Sequence, residues 1–255
     1  MENLIHSFIG GWRPQKPDFR DHKFTMLIAP QALPVSVDLT PSCPPVYNQL
    51  TLGSCTANAL AAAVEFDMIK QGLQTVTPSR LFIYYNERVI ERTTSQDAGA
   101  ELRDGIKTLN SLGVCPETLW PYDIQQFDVR PDDAAYKAAT AFTAIAYKAV
   151  DNTNIINIKS ALAQNFPVVC GITVYDSFES DYVSLTGIVN LPSPHECTIG
   201  GHAVMCVGYD DHSQRFIMRN SWGLDWGMKG YFTLPYAYLT NSDLADDFWT
   251  ITQIK

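Results

Sequence analysis

Four polar residues in three separated segments have side chains that could carry out nucleophilic chemistry together. Cys55 begins a run of apolar residues, Gln49 precedes it by six positions, and His202 and Asn220 follow far downstream. A cysteine attacks as its thiolate, and a histidine can take the thiol proton and later give it to a leaving amine. An asparagine oxygen that accepts from the other ring nitrogen would fix the tautomer. The set predicts nucleophilic acyl transfer by a thiolate.

Gln49 is expected to have a separate role in that chemistry. Its side-chain N–H and the backbone N–H of Cys55 would donate hydrogen bonds to the oxyanion of a tetrahedral intermediate. Loss of one such donor typically slows a reaction about 100- to 1000-fold.

The element that must position Cys55 is a helix predicted over residues 54–69. Its side chains leave almost no polar face, so the helix should be buried on all sides. Cys55 would lie in its first turn, where the helix dipole lowers the pKa of a thiol. Taken singly, each candidate has a plain alternative, since Cys55 could be a small core residue, His202 another core residue and Asn220 a turn former. Their joint presence in this order favours catalysis.

The rest of the chain predicts a mainly helical first part and a mainly stranded second part. A helix is expected from Thr77 onward with Pro78 in its first position, and others over residues 98–112 and 155–164. Strands are predicted over residues 142–150, 168–175, 202–209, 216–219, 230–234 and 248–253.

Two segments resemble the papain-like cysteine peptidases. Residues 52–56 read LGSCT and match three of the five positions of that family's cysteine motif. Residues 220–231 read NSWGLDWGMKGY and are similar to its asparagine block nearly throughout. Leu52 stands where the family has a disulfide-forming cysteine, and Thr56 stands where it has an aromatic residue, so that crosslink is not expected. The resemblance covers roughly residues 33–255.

The resemblance implies an α+β, papain-like fold of two lobes. A helical left lobe, residues 33–140, would carry the nucleophile. An antiparallel, β-barrel-like right lobe, residues 141–255, would carry His202 and Asn220. The cleft between the lobes would bind an extended peptide or protein substrate.

Three further residues receive roles from the resemblance. Trp222 would cover the histidine–asparagine hydrogen bond from water and line the substrate site, and Gly99 is the candidate for a glycine that bonds to the peptide backbone. Gly201 stands where family members commonly carry Asn or Asp. Glycine there would let a substrate backbone approach closely, although a strand-entry turn explains it equally well.

Residues 1–32 form a short arm in place of the family's long inhibitory propeptide. Trp12, Phe19 and several prolines favour an extended segment that packs across the cleft as a plug. Docking away from the cleft is the alternative.

Composition limits the partners and the compartment. The chain of 255 residues has a net charge of −9 and no basic stripe, which argues against nucleic acid or an anionic membrane as partner. It has no apolar run of membrane-spanning length, no visible secretion signal and an odd number of cysteines besides Cys55, so a reducing compartment is expected. The spacing of Cys197, His202 and Cys206 fits no standard zinc site, and neither a metal nor another cofactor is expected. The sequence leaves the oligomeric state open.

Three functions are compatible with these residues. The leading prediction is a cysteine peptidase that forms an acyl-enzyme on Cys55, with His202 as general acid and base. The same thioester chemistry with an amine acceptor would make a transferase or ligase. A catalytically idle peptide-binding module is the third possibility, and the complete set of four residues argues against it.

Overall fold

The computed structural model describes residues 10–25 and 32–255. Within them the α-helices are α1 (Cys55–Lys70), α2 (Arg80–Glu91), α3 (Leu102–Ser111), α4 (Asp133–Ala139), α5 (Ile155–Ala163), α6 (Asp181–Thr186) and α7 (Tyr236–Leu239). The strands are β1 (Ser36–Asp38), β2 (Ala144–Ala149), β3 (Val168–Tyr175), β4 (Thr198–Asp210), β5 (Arg215–Arg219), β6 (Tyr231–Pro235) and β7 (Ala245–Ile254). Short 3-10 turns lie at Thr40–Ser42, Ile124–Gln126 and Asp176–Glu179.

Helix α1 lies at the centre of the fold because small and apolar side chains cover every side of it. Its residues from Cys55 through Met68 are buried without a break, which confirms the prediction of a helix buried all round. Helices α2 and α3 pack on it, as do strands β3, β4 and β7. The helix begins directly after Ser54, and its first residue is the cysteine itself.

Two helix starts differ from their predictions. Helix α2 does not begin beside Pro78, because Ser79 is its N-cap. The Ser79 side chain accepts a hydrogen bond from the Phe82 N–H at 3.1 Å. Helix α3 begins four residues later than predicted. Gly99 has a φ of +66°, a left-handed conformation that cannot be part of a right-handed helix.

The strands form one antiparallel sheet in the order β2-β7-β3-β4-β5-β6, with β1 paired to the end of β4. The sheet is antiparallel, as expected, and it is open and does not close into a barrel. Each outer strand pairs instead with a segment from elsewhere in the chain, since Lys23 bridges to Ala149 of β2 and Ile188 bridges to Thr233 of β6. These bridges pair with backbone N–H and C=O groups on the outer strands, which closure of the sheet into a barrel would otherwise pair.

One core of buried side chains connects the helices to the sheet. It includes Trp12 from the arm. Strand β1 comes from the segment predicted to belong to the helical lobe, yet it pairs with β4. No helix in residues 10–25 and 32–255 is long and apolar enough to cross a membrane. All six cysteines are free thiols.

Candidate active site

Cys55 and His202 lie where the start of α1 meets β4. The Cys55 sulfur accepts a hydrogen bond from the Ala203 N–H at 3.3 Å. His202 directly precedes Ala203, and the side chains of Cys55 and His202 are both fully buried. The sulfur therefore lies against the strand segment that carries the histidine.

Asn220 fixes the histidine ring. It follows β5, which pairs with β4 so that Met205 lies opposite Arg219. His202 Nε2 lies 2.8 Å from Asn220 Oδ1, and this oxygen also accepts the Ser221 N–H at 2.8 Å. Because Oδ1 is an acceptor, Nε2 carries the ring proton and Nδ1 is the basic nitrogen of this tautomer.

Aromatic rings enclose the imidazole. Trp222 stacks on His202 with ring centroids 5.1 Å apart and an interplanar angle of 30°. Phe178 approaches the same imidazole edge-on at 6.5 Å, and it also packs against Trp222 and Trp226. Sequence reasoning placed Trp222 over this ring but missed Phe178, which lies in a 3-10 turn without any motif.

Burial sets the protonation states of the pair. It raises the pKa of the Cys55 thiol to about 11, although backbone N–H groups of Ala203, Gly11 and Thr56 act in the opposite direction. It lowers the pKa of His202 to about 4, although the hydrogen bond that His202 donates to Asn220 acts in the opposite direction. Both groups are therefore neutral near pH 7 while they remain buried.

Gln49 lies at the same junction and is buried. Its Nε2 donates to the Leu52 carbonyl at 3.0 Å, and its Oε1 accepts from Ser221 Oγ at 2.6 Å. Its backbone N–H donates to the Ser221 carbonyl at 2.8 Å. These bonds fix the side-chain amide next to the segment that carries Asn220.

The backbone of the arm crosses this junction between α3 and β4. Ala100 N–H donates to the Gly11 carbonyl at 2.7 Å, and Arg13 N–H donates to the Ala100 carbonyl at 3.1 Å. On the opposite side, Trp12 N–H donates to the Gly201 carbonyl at 3.3 Å. The arm thus forms a short strand-like connection between the helices and the sheet.

Glycines allow this close approach. A Cβ on Gly11 would lie 1.8 Å from the Gly53 carbonyl oxygen, and a Cβ on Gly99 would lie 2.0 Å from the Gly11 oxygen. Gly99 therefore lies directly against the arm, whereas the two backbone bonds on this side belong to Ala100. The role of Gly99 toward a bound peptide stays a prediction.

The Trp12 side chain fills a pocket in the sheet, which we call the Trp12 pocket and define by Gly171, Gly201 and Asp247. Cβ atoms on Gly171 and Gly201 would lie 1.9 Å and 2.7 Å from indole carbons. The indole Nε1 donates to Asp247 Oδ2 at 2.9 Å. Phe19 is 96% exposed, so the expectation that it packs across the cleft is wrong.

Charged side chains hold the arm beyond Trp12. Arg13 pairs with Glu91 at the end of α2. Arg103 of α3 pairs with Asp21 at 2.6 Å and donates to the Lys16 carbonyl at 2.7 Å. Within residues 10–25 and 32–255, no cluster of three or more His, Cys, Asp or Glu side chains could hold a metal ion.

A thiol next to a histidine that is oriented by an asparagine, at the junction of a helix and an antiparallel sheet, is the site of a cysteine-dependent hydrolase. A sequence model described as papain family cysteine protease matches residues 33–248, and the chain belongs to that family. The resemblance inferred from sequence is confirmed, as are the α+β class and the function as a cysteine peptidase.

Individual relatives agree with this assignment. Xylellain, a cysteine protease from Xylella fastidiosa, is 44% identical, has a TM-score of 0.90, and is matched over 96% of each chain. An uncharacterized peptidase C1-like protein of Acanthamoeba polyphaga mimivirus is 43% identical over 96% of this chain and 86% of its own length. Bromelain from Ananas comosus, solved with an inhibitor, shares the fold at 21% identity and a TM-score of 0.67, over 87% of this chain and 100% of its own.

Proposed function

We propose that this cysteine protease hydrolyses peptide bonds through a thioester on Cys55. His202 Nδ1 takes the thiol proton, and the sulfur attacks the carbonyl carbon of the scissile bond. The ring gives its proton to the leaving amine, then activates the water that hydrolyses the thioester. Two contacts carry the proposal. His202 donates a 2.8 Å hydrogen bond to Asn220, and the N–H of Ala203, the residue after His202, donates to the Cys55 sulfur.

The oxyanion would be stabilised by two donors, the backbone N–H of Cys55 and the side chain of Gln49. Gln49 Nε2 carries two hydrogens, and its bond to the Leu52 carbonyl uses one of them. The bond from Ser221 Oγ to Gln49 Oε1 fixes which end of the amide is the donor. This preorganisation supports a role in the transition state.

The substrate would be an extended peptide in the groove that residues 11–13 occupy. The bonds of the arm to Ala100 and Gly201 are all made by backbone groups. Any extended peptide can form such bonds, whatever its sequence. Discrimination between substrates then depends on side-chain pockets beside the groove.

The arm itself acts as a plug in this proposal. The backbone N–H of Gly11 lowers the pKa of the Cys55 thiol, so the arm presents an amide hydrogen to the nucleophile. A segment bound in this way is not positioned for attack, and it keeps water away from both catalytic groups. Burial of Cys55 and His202 under the arm supports an inactive, neutral pair.

Hydrolysis of a fluorogenic peptide library tests the enzyme proposal. Cys55→Ser should abolish turnover, whereas Cys197→Ser, at an exposed thiol, should leave it unchanged. Mass analysis of the products separates hydrolysis from transfer to an added amine. Turnover that survives in Cys55→Ser would rule out the proposed nucleophile, and exclusive formation of amine adducts would identify a transferase.

A further inference from the structure

We propose that Asp97 is a positioning residue for catalysis, because its carboxylate fixes the peptide group that holds the Gln49 side chain. This inference rests on the proposed function, in which Gln49 donates a hydrogen bond to the oxyanion. Asp97 lies in the loop between α2 and α3 and belongs to no sequence motif. Its role follows from the contacts that the loop makes in the folded protein.

The peptide group between Leu52 and Gly53 connects Asp97 to Gln49. Its carbonyl accepts from Gln49 Nε2 at 3.0 Å and from the Ser54 N–H at 2.8 Å. Its N–H donates to both carboxylate oxygens of Asp97, at 3.1 Å and 3.0 Å. Because a peptide group is planar, a carboxylate that fixes the direction of the N–H also fixes the direction of the carbonyl. Asp97 therefore orients the acceptor that holds the Gln49 amide.

The turn from Gln49 to Cys55 contains a strained residue. Leu50 has a φ of +55°, in the left-handed region, and its side chain is 53% exposed. The bond from the Leu52 N–H to the Gln49 carbonyl is long, at 3.4 Å. No disulfide holds the turn, since all six cysteines are free thiols. The bonds to Asp97 are charge-assisted, and such bonds are stronger than neutral ones, so they stabilise the turn from outside.

Helix α2 holds the Asp97 carboxylate in place. The hydroxyl of Tyr84, a buried residue of α2, donates to Asp97 Oδ1 and accepts from the Gly99 N–H at 3.1 Å. Arg88, which is also buried, donates to the carbonyl of Gln96, directly before Asp97, at 2.9 Å. The carboxylate thus has a fixed direction before a substrate binds, as preorganisation of a transition-state contact requires.

Asp97 serves this contact and not the core. The residue is exposed, so removal of its side chain leaves no cavity in the interior. Gly53 allows the carboxylate to approach, because a Cβ at that position would lie only 3.0 Å from Asp97 Oδ1. A variant without the carboxylate should therefore fold, and its kinetics can be compared with those of the natural chain.

The first test compares kcat for a fluorogenic peptide with the rate of Cys55 alkylation by iodoacetamide. Asp97→Ala should lower kcat about 10-fold, which is less than the loss expected without the Gln49 donor. The alkylation rate should not fall, because that reaction forms no oxyanion. A change in the docking of the arm would alter KM and the alkylation rate, since the arm competes with substrate, but it would leave kcat at saturating substrate unchanged.

A double-variant cycle shows whether Asp97 acts through Gln49. Added to Gln49→Ala, Asp97→Ala should reduce kcat by less than about 2-fold, because the group that it positions is already absent. Asp97→Asn should retain most of the activity, with a loss of about 3-fold, because its amide oxygen still accepts from the Gly53 N–H. Asp128→Ala is the matched control. It removes the same charge from an exposed position that also interacts with Arg88, and it should leave kcat unchanged.

The outcomes separate this inference from the proposed function. An unchanged kcat in Asp97→Ala, an equal loss with and without Gln49, or an alkylation rate that falls together with kcat overturns the role of Asp97 alone. Absence of hydrolysis by the natural chain, together with no selective alkylation of Cys55, overturns both.

Discussion

Opposing effects act on the thiol of Cys55. Burial raises its pKa to about 11, whereas the N–H groups of Ala203, Gly11 and Thr56 stabilise the thiolate. Desolvation is the larger effect under the arm. Entry of water would weaken the effect of desolvation, whereas the N–H groups of Ala203 and Thr56 and the start of the helix would remain. The pKa of the Cys55 thiol should therefore fall when the arm leaves, and the thiolate should become more populated.

Substitution of Asn220 should affect catalysis more than substrate binding. Asn220→Ala removes the acceptor that fixes the His202 ring with its proton on Nε2. The ring can then turn or change tautomer, and kcat should fall about 100-fold while KM changes little. Steady-state kinetics, with active enzyme counted by a thiol-specific inhibitor, measures this. An unchanged kcat would show that Trp222 and Phe178 hold the ring without the amide.

The role of Gln49 in the transition state can be separated from the reactivity of Cys55 by measuring kcat and the rate of thiol alkylation. Gln49→Ala should lower kcat about 100- to 1000-fold through loss of an oxyanion donor. The rate of Cys55 alkylation by iodoacetamide should stay the same, because that reaction forms no oxyanion. Ser221→Ala is the matched control, since it removes the contact to Gln49 Oε1 but keeps the donor. Equal losses of turnover in both variants would assign Gln49 a structural role.

At the scale of elements, helices α1 and α2 meet at a buried acid. Glu87 of α2 accepts a hydrogen bond from Thr56 Oγ1 at 2.8 Å, one residue after the nucleophile. Burial raises the pKa of Glu87 from 4.5 to about 8, although the Thr56 bond opposes this. Glu87 is therefore protonated in the folded protein near pH 7, and this keeps a negative charge away from Cys55.

This acid makes stability depend on pH. The unfolded chain releases the Glu87 proton above pH 4.5, whereas the folded chain retains it up to about pH 8. The free energy of unfolding should therefore fall between these values and then level off. Glu87→Gln removes this contribution. The free energy of unfolding of the variant, relative to that of the natural chain, should therefore rise by roughly 3 kcal/mol from pH 5 to pH 8.

Urea unfolding at several pH values measures that difference. Glu179→Gln, which removes an exposed carboxylate, is the control for the loss of one negative charge and should show little pH dependence. A constant difference between Glu87→Gln and the natural chain from pH 5 to pH 8 would contradict the prediction.

Elements with a strong local pattern could be predicted, and those fixed by distant contacts could not. Strand β3 was expected over residues 168–175 and has these bounds, because its apolar, β-branched residues lie between turns. Sequence could not reveal that Lys23 and Ile188 cover the sheet edges, since both bridges join segments far apart in the chain. Pro78 suits the first position of a helix and therefore predicts too early a start for α2, whereas the side chain of Ser79 caps the helix.

The candidate site follows the same division. The motifs around Cys55 and Asn220 predict the nucleophile and its partners, because a family shares their spacing. Asp247 and Ala100 carry no such motif, and their importance depends on where the arm lies. The fit of Trp12 against two glycines is a property of the folded pocket, which residue types alone do not show.

At the scale of the whole molecule, one segment connects the helices, the sheet and the catalytic pair. Residues 11–23 contact α3 through Arg103, β4 through Gly201 and β2 through Ala149. These contacts stabilise the docked arm, and under the proposed function a peptide substrate must compete with it. Activity should depend on the equilibrium between a docked and a displaced arm.

Gly11→Ala should displace the arm without altering any catalytic residue. The new Cβ would lie 1.8 Å from the Gly53 carbonyl oxygen, a backbone atom that cannot turn away. Overpacking of this kind costs about 1–3 kcal/mol, so peptide hydrolysis and alkylation of Cys55 at pH 7 should rise about 10- to 100-fold. The pH midpoint of alkylation should also fall from the covered value of about 11, because water reaches the thiol. Gly10→Ala, at an exposed neighbouring position, should behave like the natural chain. If Gly11→Ala is folded but its hydrolysis, alkylation rate and midpoint all match those of Gly10→Ala, the arm does not restrain the enzyme.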